Sequence, residues 1–155
     1  MIAEQDFSLD ELARAVKERK PEVGAIVSFL GVVRAGTGTE TGTETGTETG
    51  TETGTETGTE TGKTGEEGKK IKGLEIVVGD EVKAEREFEE LKREAVERFG
   101  VEAVEIVHRK GSLVVGESIV AILVGAGHRK AAFRACEYLI NALRVSGAVA
   151  RKELK

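Results

Sequence analysis

The sequence predicts an α+β domain with a mainly antiparallel sheet. Helical and strand patterns do not alternate regularly along the chain, and the connections between them are short. Short connections favour antiparallel pairing, because a parallel crossover needs about a dozen residues or more. The 155 residues suffice for one hydrophobic core. We therefore expect one domain over 1–155, interrupted by a low-complexity loop at about 35–70.

Ser8-Leu9-Asp10-Glu11 fits a capping box, in which Ser8 caps a helix and Glu11 reaches back. A short helix follows through Leu12, Ala13 and Val16 and ends before Pro21. Val23 to about Val33 reads as a strand, apolar on both faces and so expected at the centre of a sheet. Ile71 to Asp80 reads as a second strand. A helix follows from about Val82 to Phe99, with Ala84, Phe88, Leu91, Ala95 and Phe99 on one face and Gly100 as its stop. "VEAVEIVHRK" is a strand, and "GSLVVGESIVAILVGAG" holds one or two more, broken near Gly116. A last helix spans about Lys130 to Val145, and "SGAVARKELK" reads as a short tail.

The interruption is a sixfold repeat of TGTE from Thr37 to Glu60. No apolar residue occurs between Thr37 and Lys70, so the segment has nothing to bury against the entropy of ordering, and a disordered loop is expected. "GTETGKT", Gly58 to Thr64, mimics a phosphate-binding P-loop. Its glycines enclose three residues where the motif needs four, and neither a strand nor an apolar helix flanks it.

The repeat also distorts the overall charge. Its six Glu account for -6 of a formal net charge of -5, so the rest of the chain stands at +1. Cations and Glu are interleaved and aromatics make up 4%, which argues against a nucleic-acid surface. The single Cys136 excludes an internal disulfide and fits a reducing compartment; it falls in an apolar helical stripe with Phe133, Ile140 and Leu143, as packing residues do. No leader pattern opens the chain, and no apolar run approaches the ~20 residues of a membrane span. A soluble, cytoplasmic protein without a membrane partner is expected.

The chain offers no CxxC pair, HExxH motif or nucleophile elbow, and its only histidines are His108 and His128. A histidine-rich metal site is therefore not expected. The chemistry on offer is cationic. Arg34 stands where the first strand ends, His128-Arg129 where the last helix begins, Arg144 near that helix's end, and Arg151-Lys152 in the tail. A helix N-terminus attracts anions through its free N–H groups, and Gly125 and Gly127 would let a ligand approach the backbone. A solvated surface turn accounts for His128-Arg129 equally well. Arg129 and Arg144 are separated by about 22 Å of helical rise. They therefore serve different sites, or a second subunit brings one end alongside the other in a pocket that straddles a dimer interface.

"GAIVSFLGVVR", "VEIVHRKGSLVVGE", "GHRKAAFRACEYLINALR" and the closing "RKE" together resemble the large, catalytic subunit of molybdopterin synthase, over nearly the whole chain outside Ala35 to Lys70. The resemblance implies a hammerhead-like α+β fold and a central homodimer. It implies a small ubiquitin-like sulfur carrier at each end, whose Gly-Gly thiocarboxylate enters a pocket of the large subunit. The implied reaction moves two sulfurs to cyclic pyranopterin monophosphate, giving the dithiolene of molybdopterin, with no metal or dissociable cofactor. Carried over residue by residue, the implied pocket falls on Val32, Val33 and Arg34, on His128 and Arg129, on Arg144, and on Arg151, Lys152 and Glu153. Arg34, His128 and Arg129 would bind substrate anions, and Arg144, Arg151 and Lys152 would be the cations at the transfer centre. His108-Arg109 matches a block that reads as structural.

Two positions depart from the family. Those matching Arg144 and Arg151 are usually Lys, and the usual "PIWKKE" tail reads "AVARKE" from Ala148 to Glu153. Arg keeps the charge but cannot readily give up a proton. If the chemistry needs an amine, Lys152 must supply it through a shifted register, or activity is impaired; if it needs only charge, Arg serves. The rival is a non-catalytic homologue acting as a carrier-binding or pterin-binding scaffold. For the repeat, replacing Thr37 to Glu60 by a short Gly-Ser linker is expected to leave stability nearly unchanged, since each doubling of loop length costs only about 0.6 kcal/mol. Denaturant unfolding checks this, and a loss of several kcal/mol would mean that the segment packs on the domain.

Overall fold

Strand β6 (Ser118–Ala126) organises the larger of two sheets in the computed structural model, which describes residues 1–36 and 70–155. Its neighbours are β4 (Ala103–Arg109) and β2 (Ala25–Val32), both antiparallel to it. The two-residue β1 (Ile2–Ala3) adds to β4 in parallel, so the order is β1-β4-β6-β2. The smaller sheet has the order β5-β3-β7, from β5 (Gly111–Val114), β3 (Gly73–Val78) and β7 (Val149–Leu154), all antiparallel. Three helices complete the described chain: α1 (Leu9–Arg19), α2 (Glu81–Phe99) and α3 (Arg129–Val145). The α+β class and the antiparallel bias expected from the sequence are both present.

The helices begin and end on the predicted signals. Ser8 Oγ accepts the Glu11 N–H at 3.3 Å, although the reciprocal Glu11 side-chain bond is absent among the described residues. Asp80, read as the end of the preceding strand, instead caps α2 through Lys83 N–H at 3.0 Å, while Gly100 ends the helix as predicted at φ 65°, where a side chain would be strained. Gly116, at φ 92°, breaks the long apolar run into β5 and β6 as expected. Ala84, Phe88 and Ala95 of α2 and Ala132, Ala135, Cys136 and Leu139 of α3 are buried, which bears out the predicted α2 face and the packing role of Cys136. Phe133, placed in the same apolar stripe, is exposed, because α3 turns Ala132, Ala135 and Leu139 to the core instead. Burial pushes the Cys136 thiol pKa up, so it stays protonated.

The larger sheet packs α2 and α3 on one face and α1 on the other. Period two sorts its side chains into rows. Val104, Val124 and Val27 form one row across β4, β6 and β2 on the α2–α3 face; Ile106, Ile122 and Phe29 form the next; His108, Val120 and Gly31 form the last. On the opposite face a Cβ on Gly125 would meet Val16 of α1 and Val23, each at 3.0 Å. Gly125 therefore serves the close seating of α1 against β6 and not the approach of a ligand, which corrects the sequence reading of this residue.

Two further expectations are corrected. The strand placed at the sheet centre, β2, is an edge strand, and its outer residues Ser28, Leu30 and Val32 are exposed. The apolar run that looked two-sided leaves Leu30 and Val32 in solvent instead of in a core. The closing tail is not irregular but forms β7, whose alternation is hidden because charged residues occupy both of its faces. The sequence reading also missed β1. The expected disordered repeat lies on residues 37–69, outside the described residues. Its flanks meet: Ile71 N–H donates to the Gly36 carbonyl at 2.9 Å. Among the described residues no helix is long and apolar enough to cross a membrane.

Gly73 marks where the smaller sheet is tightest. A Cβ there would lie 2.2 Å from the Leu113 carbonyl oxygen, a main-chain atom that cannot rotate away. Gly73→Ala is expected to cost about 1–3 kcal/mol, as overpacking does. The measurement is the denaturant midpoint at unchanged slope; a change under about 0.5 kcal/mol would show that β3 and β5 separate freely.

Candidate functional site

The last row of the larger sheet ends in open space. Gly31 contributes no side chain, and Val120 Cγ1 lies 2.9 Å from where its Cβ would stand, so Val120 and the ring of Phe29 form the floor at the β2 edge. Above that floor lies a cleft in two adjoining lobes of about 170 and 310 Å³. Both lobes are lined by His108 of β4, Leu143 and Arg144 of α3, and Arg151 of β7. Phe88 closes the smaller lobe, and Phe29, Gly31 and Val32 line the larger.

Local structure explains why the two arginines meet. Arg144 sits in the last turn of α3, where a cation is favoured by the helix dipole. The chain then turns at Ser146, whose hydroxyl donates to Glu87 Oε2 at 2.7 Å and accepts the Ala148 N–H at 3.3 Å. β7 follows in register with β3, Arg151 opposite Ile76 and Lys152 opposite Glu75. Ile76 is buried, so Arg151 shares the inward face and Lys152 takes the other. Glu153 pairs with Leu74 on Arg151's face, one pleat further on and exposed, and does not line the cleft.

Among the described residues neither Arg144 nor Arg151 has a carboxylate partner. Although Arg151 as a whole is exposed, partial burial of its guanidinium and then the positive Arg144 both lower its pKa. A guanidinium starts so far above neutrality that it stays a cation. Two like charges thus share one concave, partly apolar site, and an anion placed between them relieves their repulsion.

His108 is the residue that sequence reasoning passed over. It is 3% exposed and stacks on Phe88 with ring centroids 6.4 Å apart. Its Nδ1 lies 2.8 Å from the Arg109 carbonyl oxygen. A carbonyl only accepts, so Nδ1 carries the proton and Nε2 has a free lone pair. Burial lowers its pKa below the ordinary 6.5; the Arg109 bond opposes this and Arg151 reinforces it. The imidazole is therefore neutral at pH 7. The available signal was its place on the face of Val104 and Ile106, a polar residue closing an apolar row. Arg109 is structural as read, 7% exposed, with its guanidinium on Glu117 Oε1 and the Ser118 and Glu4 carbonyls.

The other proposed site residues lie apart from this cleft. Val33 is buried in the core, and Arg34 is exposed beyond the end of β2. His128 occupies the N-cap of α3 without a side-chain capping bond, and it and Arg129 are exposed at the helix end remote from Arg144. One chain therefore brings together Val32, Arg144, Arg151 and His108, but not Val33, Arg34, His128, Arg129, Lys152 or Glu153. Among the described residues no cluster of three or more His, Cys, Asp or Glu side chains could hold a metal ion.

Comparison with known proteins agrees with this architecture. The molybdopterin synthase catalytic subunit of Caulobacter vibrioides is 28% identical over 152 residues, covering 98% of this chain and 80% of that one. The solved molybdopterin biosynthesis MoaE protein of Burkholderia ambifaria superposes with a TM-score of 0.71 at 25% identity, over 99% of this chain and 81% of that one. A chain from the complex of subunits 1 and 2 of molybdopterin-converting factor of Helicobacter pylori shares the fold, with a TM-score of 0.64 at 19% identity over 99% and 82% of the two chains. The family model described as MoaE protein matches residues 54–146, more than half of the sequence, and the chain belongs to that family.

Proposed function

We propose that the chain is the large subunit of a molybdopterin synthase, transferring sulfur from a thiocarboxylated ubiquitin-like carrier to cyclic pyranopterin monophosphate and so building the dithiolene. The observation that carries this reading is the pair Arg144 and Arg151, unneutralised within one cleft. The thiocarboxylate and the substrate phosphate are both anions, and a guanidinium grips such groups through two parallel N–H bonds. In this reading Arg144 and Arg151 hold the transferring centre and stabilise charge that develops there. His128, Arg129 and Arg34 bind the pterin's anionic groups, with His128 and Arg129 supplied by the second chain of a homodimer, since one α3 separates its own ends by about 22 Å. The carrier docks on each large subunit to give a heterotetramer, a partnership that the subunit 1 and 2 complex from Helicobacter pylori supports.

One observation favours a second reading, a non-catalytic scaffold that binds carrier or pterin: no lysine lines the cleft among the described residues. Turnover with thiocarboxylated carrier and the pterin precursor separates the two, since a scaffold gives no dithiolene.

In the same assay Arg144→Gln and Arg151→Gln are each expected to lower turnover by about 100-fold or more, the scale of a lost charge-stabilising donor. Lys152→Arg, on the outer face of β7, is expected to turn over within about two-fold of the parent, as surface changes do. A large loss in Lys152→Arg would move the working cation to that side chain. Heterodimers of His128→Ala/Arg129→Ala chains with Arg144→Ala chains are expected to regain activity that neither parent homodimer has. Verified heterodimers that stay inactive would rule out a pocket shared between subunits.

A further inference from the structure

We propose that His108 is the proton acceptor of the cleft, taking through Nε2 a proton from the water that frees the carrier from the transferred sulfur. The inference rests on the sulfur-transfer reading and adds to it a residue that the reading does not use.

Atom balance demands such a water. A carrier that delivers its sulfur ends with its acyl carbon bonded to the acceptor's sulfur, and release must replace that C–S bond by a C–O bond. Water supplies the oxygen. As it attacks, one O–H bond breaks, and the proton passes to a base. The C–S electron pair then leaves on sulfur as a thiolate, and the new carboxylic acid ionises to solvent. The base finally returns its proton to the thiolate or to solvent.

Among the residues lining both lobes, only His108 can be that base. Arg144 and Arg151 have no lone pair to offer, and Leu143 is apolar. Lys152 faces away. The bond from Nδ1 to the Arg109 carbonyl fixes the tautomer and orients the ring, while Nε2 makes no hydrogen bond among the described residues. Phe88 holds the ring from one side. The arrangement matches that of a general base: an oriented imidazole, a neutral resting state and a free lone pair beside the groups that hold the leaving anion.

The charged surroundings set the pH behaviour. From β7 Arg151 and from α3 Arg144 face the cleft that His108 lines. Just ahead of β1 stands the Met1 ammonium, paired with Glu85 of α2 at 3.3 Å, and the Met1 carbonyl accepts the main-chain N–H of His108 at 2.8 Å. β6 contributes the apolar Val120. With burial and cations disfavouring the imidazolium, His108 titrates below the ordinary histidine range when the cleft is empty. A bound anion offsets Arg151 and Arg144, so proton uptake is easier when substrate is present.

Two measurements test this. The chain has two histidines, so its imidazole NMR signals are assigned with His128→Gln. Inorganic phosphate is expected to raise the His108 titration midpoint by about one unit, as a nearby opposite charge does. In the turnover assay His108→Asn keeps a donor for the Arg109 carbonyl but lacks the base. It is expected to lower kcat by about 100-fold with little change in KM, and to abolish the acid limb of the parent's pH profile. If His108→Asn turns over like the parent and keeps that limb, the proposal is wrong while the sulfur-transfer reading stands. If the parent itself makes no dithiolene with a competent carrier, that reading fails. The phosphate titration then decides the imidazole's place: a raised midpoint upholds a base facing an anion site, and an unmoved one overturns it.

Discussion

Residues Ile119 to Ala126 of β6 are shielded from water on both faces, by α1 on one side and by α2 and α3 on the other. That burial imposes the register of everything beside it. A slip of one residue would exchange the pair packed toward α2 and α3, Ile122 and Val124, for the smaller-and-larger pair of the α1 face, Ala121 and Leu123, and both layers would lose their fit. With β6 held, β4 and β2 are held too, and the row of His108, Val120 and Gly31 falls at one end of the sheet. The cleft is the space left beyond that row. It is roofed by the last turn of α3, a helix anchored to β6 through Ala132, Ala135 and Leu139.

The second sheet delivers the remaining cation. Arg151 reaches the cleft only because β7 pairs with β3 in a register that sets it opposite Ile76. Lysines would leave a proton available at these positions; two arginines make the positive charge permanent across the physiological range. Such a site excels at holding anions and at stabilising developing negative charge. Neither guanidinium exchanges a proton near neutral pH, whereas the buried imidazole that lines the same cleft has the lone pair they lack.

Much of this was legible in the sequence where the cause is local. Ser8, Gly100 and Gly116 act through their own backbone conformations or nearest neighbours, and the α2 face follows from spacing alone. Arg144 and Arg151 could be picked out as cations of interest, and the structure sets them side by side. Features that depend on pairing were not legible. β7 shows no apolar alternation because its inward face carries Arg151 and Glu153, and only β3 explains why it is a strand. The apolar run of β2 could not reveal that one of its sides lacks a neighbour. His108 looked structural because the cleft it lines is completed by two arginines brought from α3 and β7, more than thirty residues away in sequence.

The junction between Gly36 and Ile71 has a genetic consequence. It is a bond between two main-chain groups, so it is indifferent to the side chains around it and to the count of residues that separate them. The TGTE unit is a whole number of codons, and a copying slip that adds or drops one unit preserves the reading frame. Both anchor points survive such a slip, as do β2 and β3 on either side. A gain or loss of one unit therefore leaves Gly36 and Ile71, and with them Arg144, Arg151 and His108, in frame on either side of it.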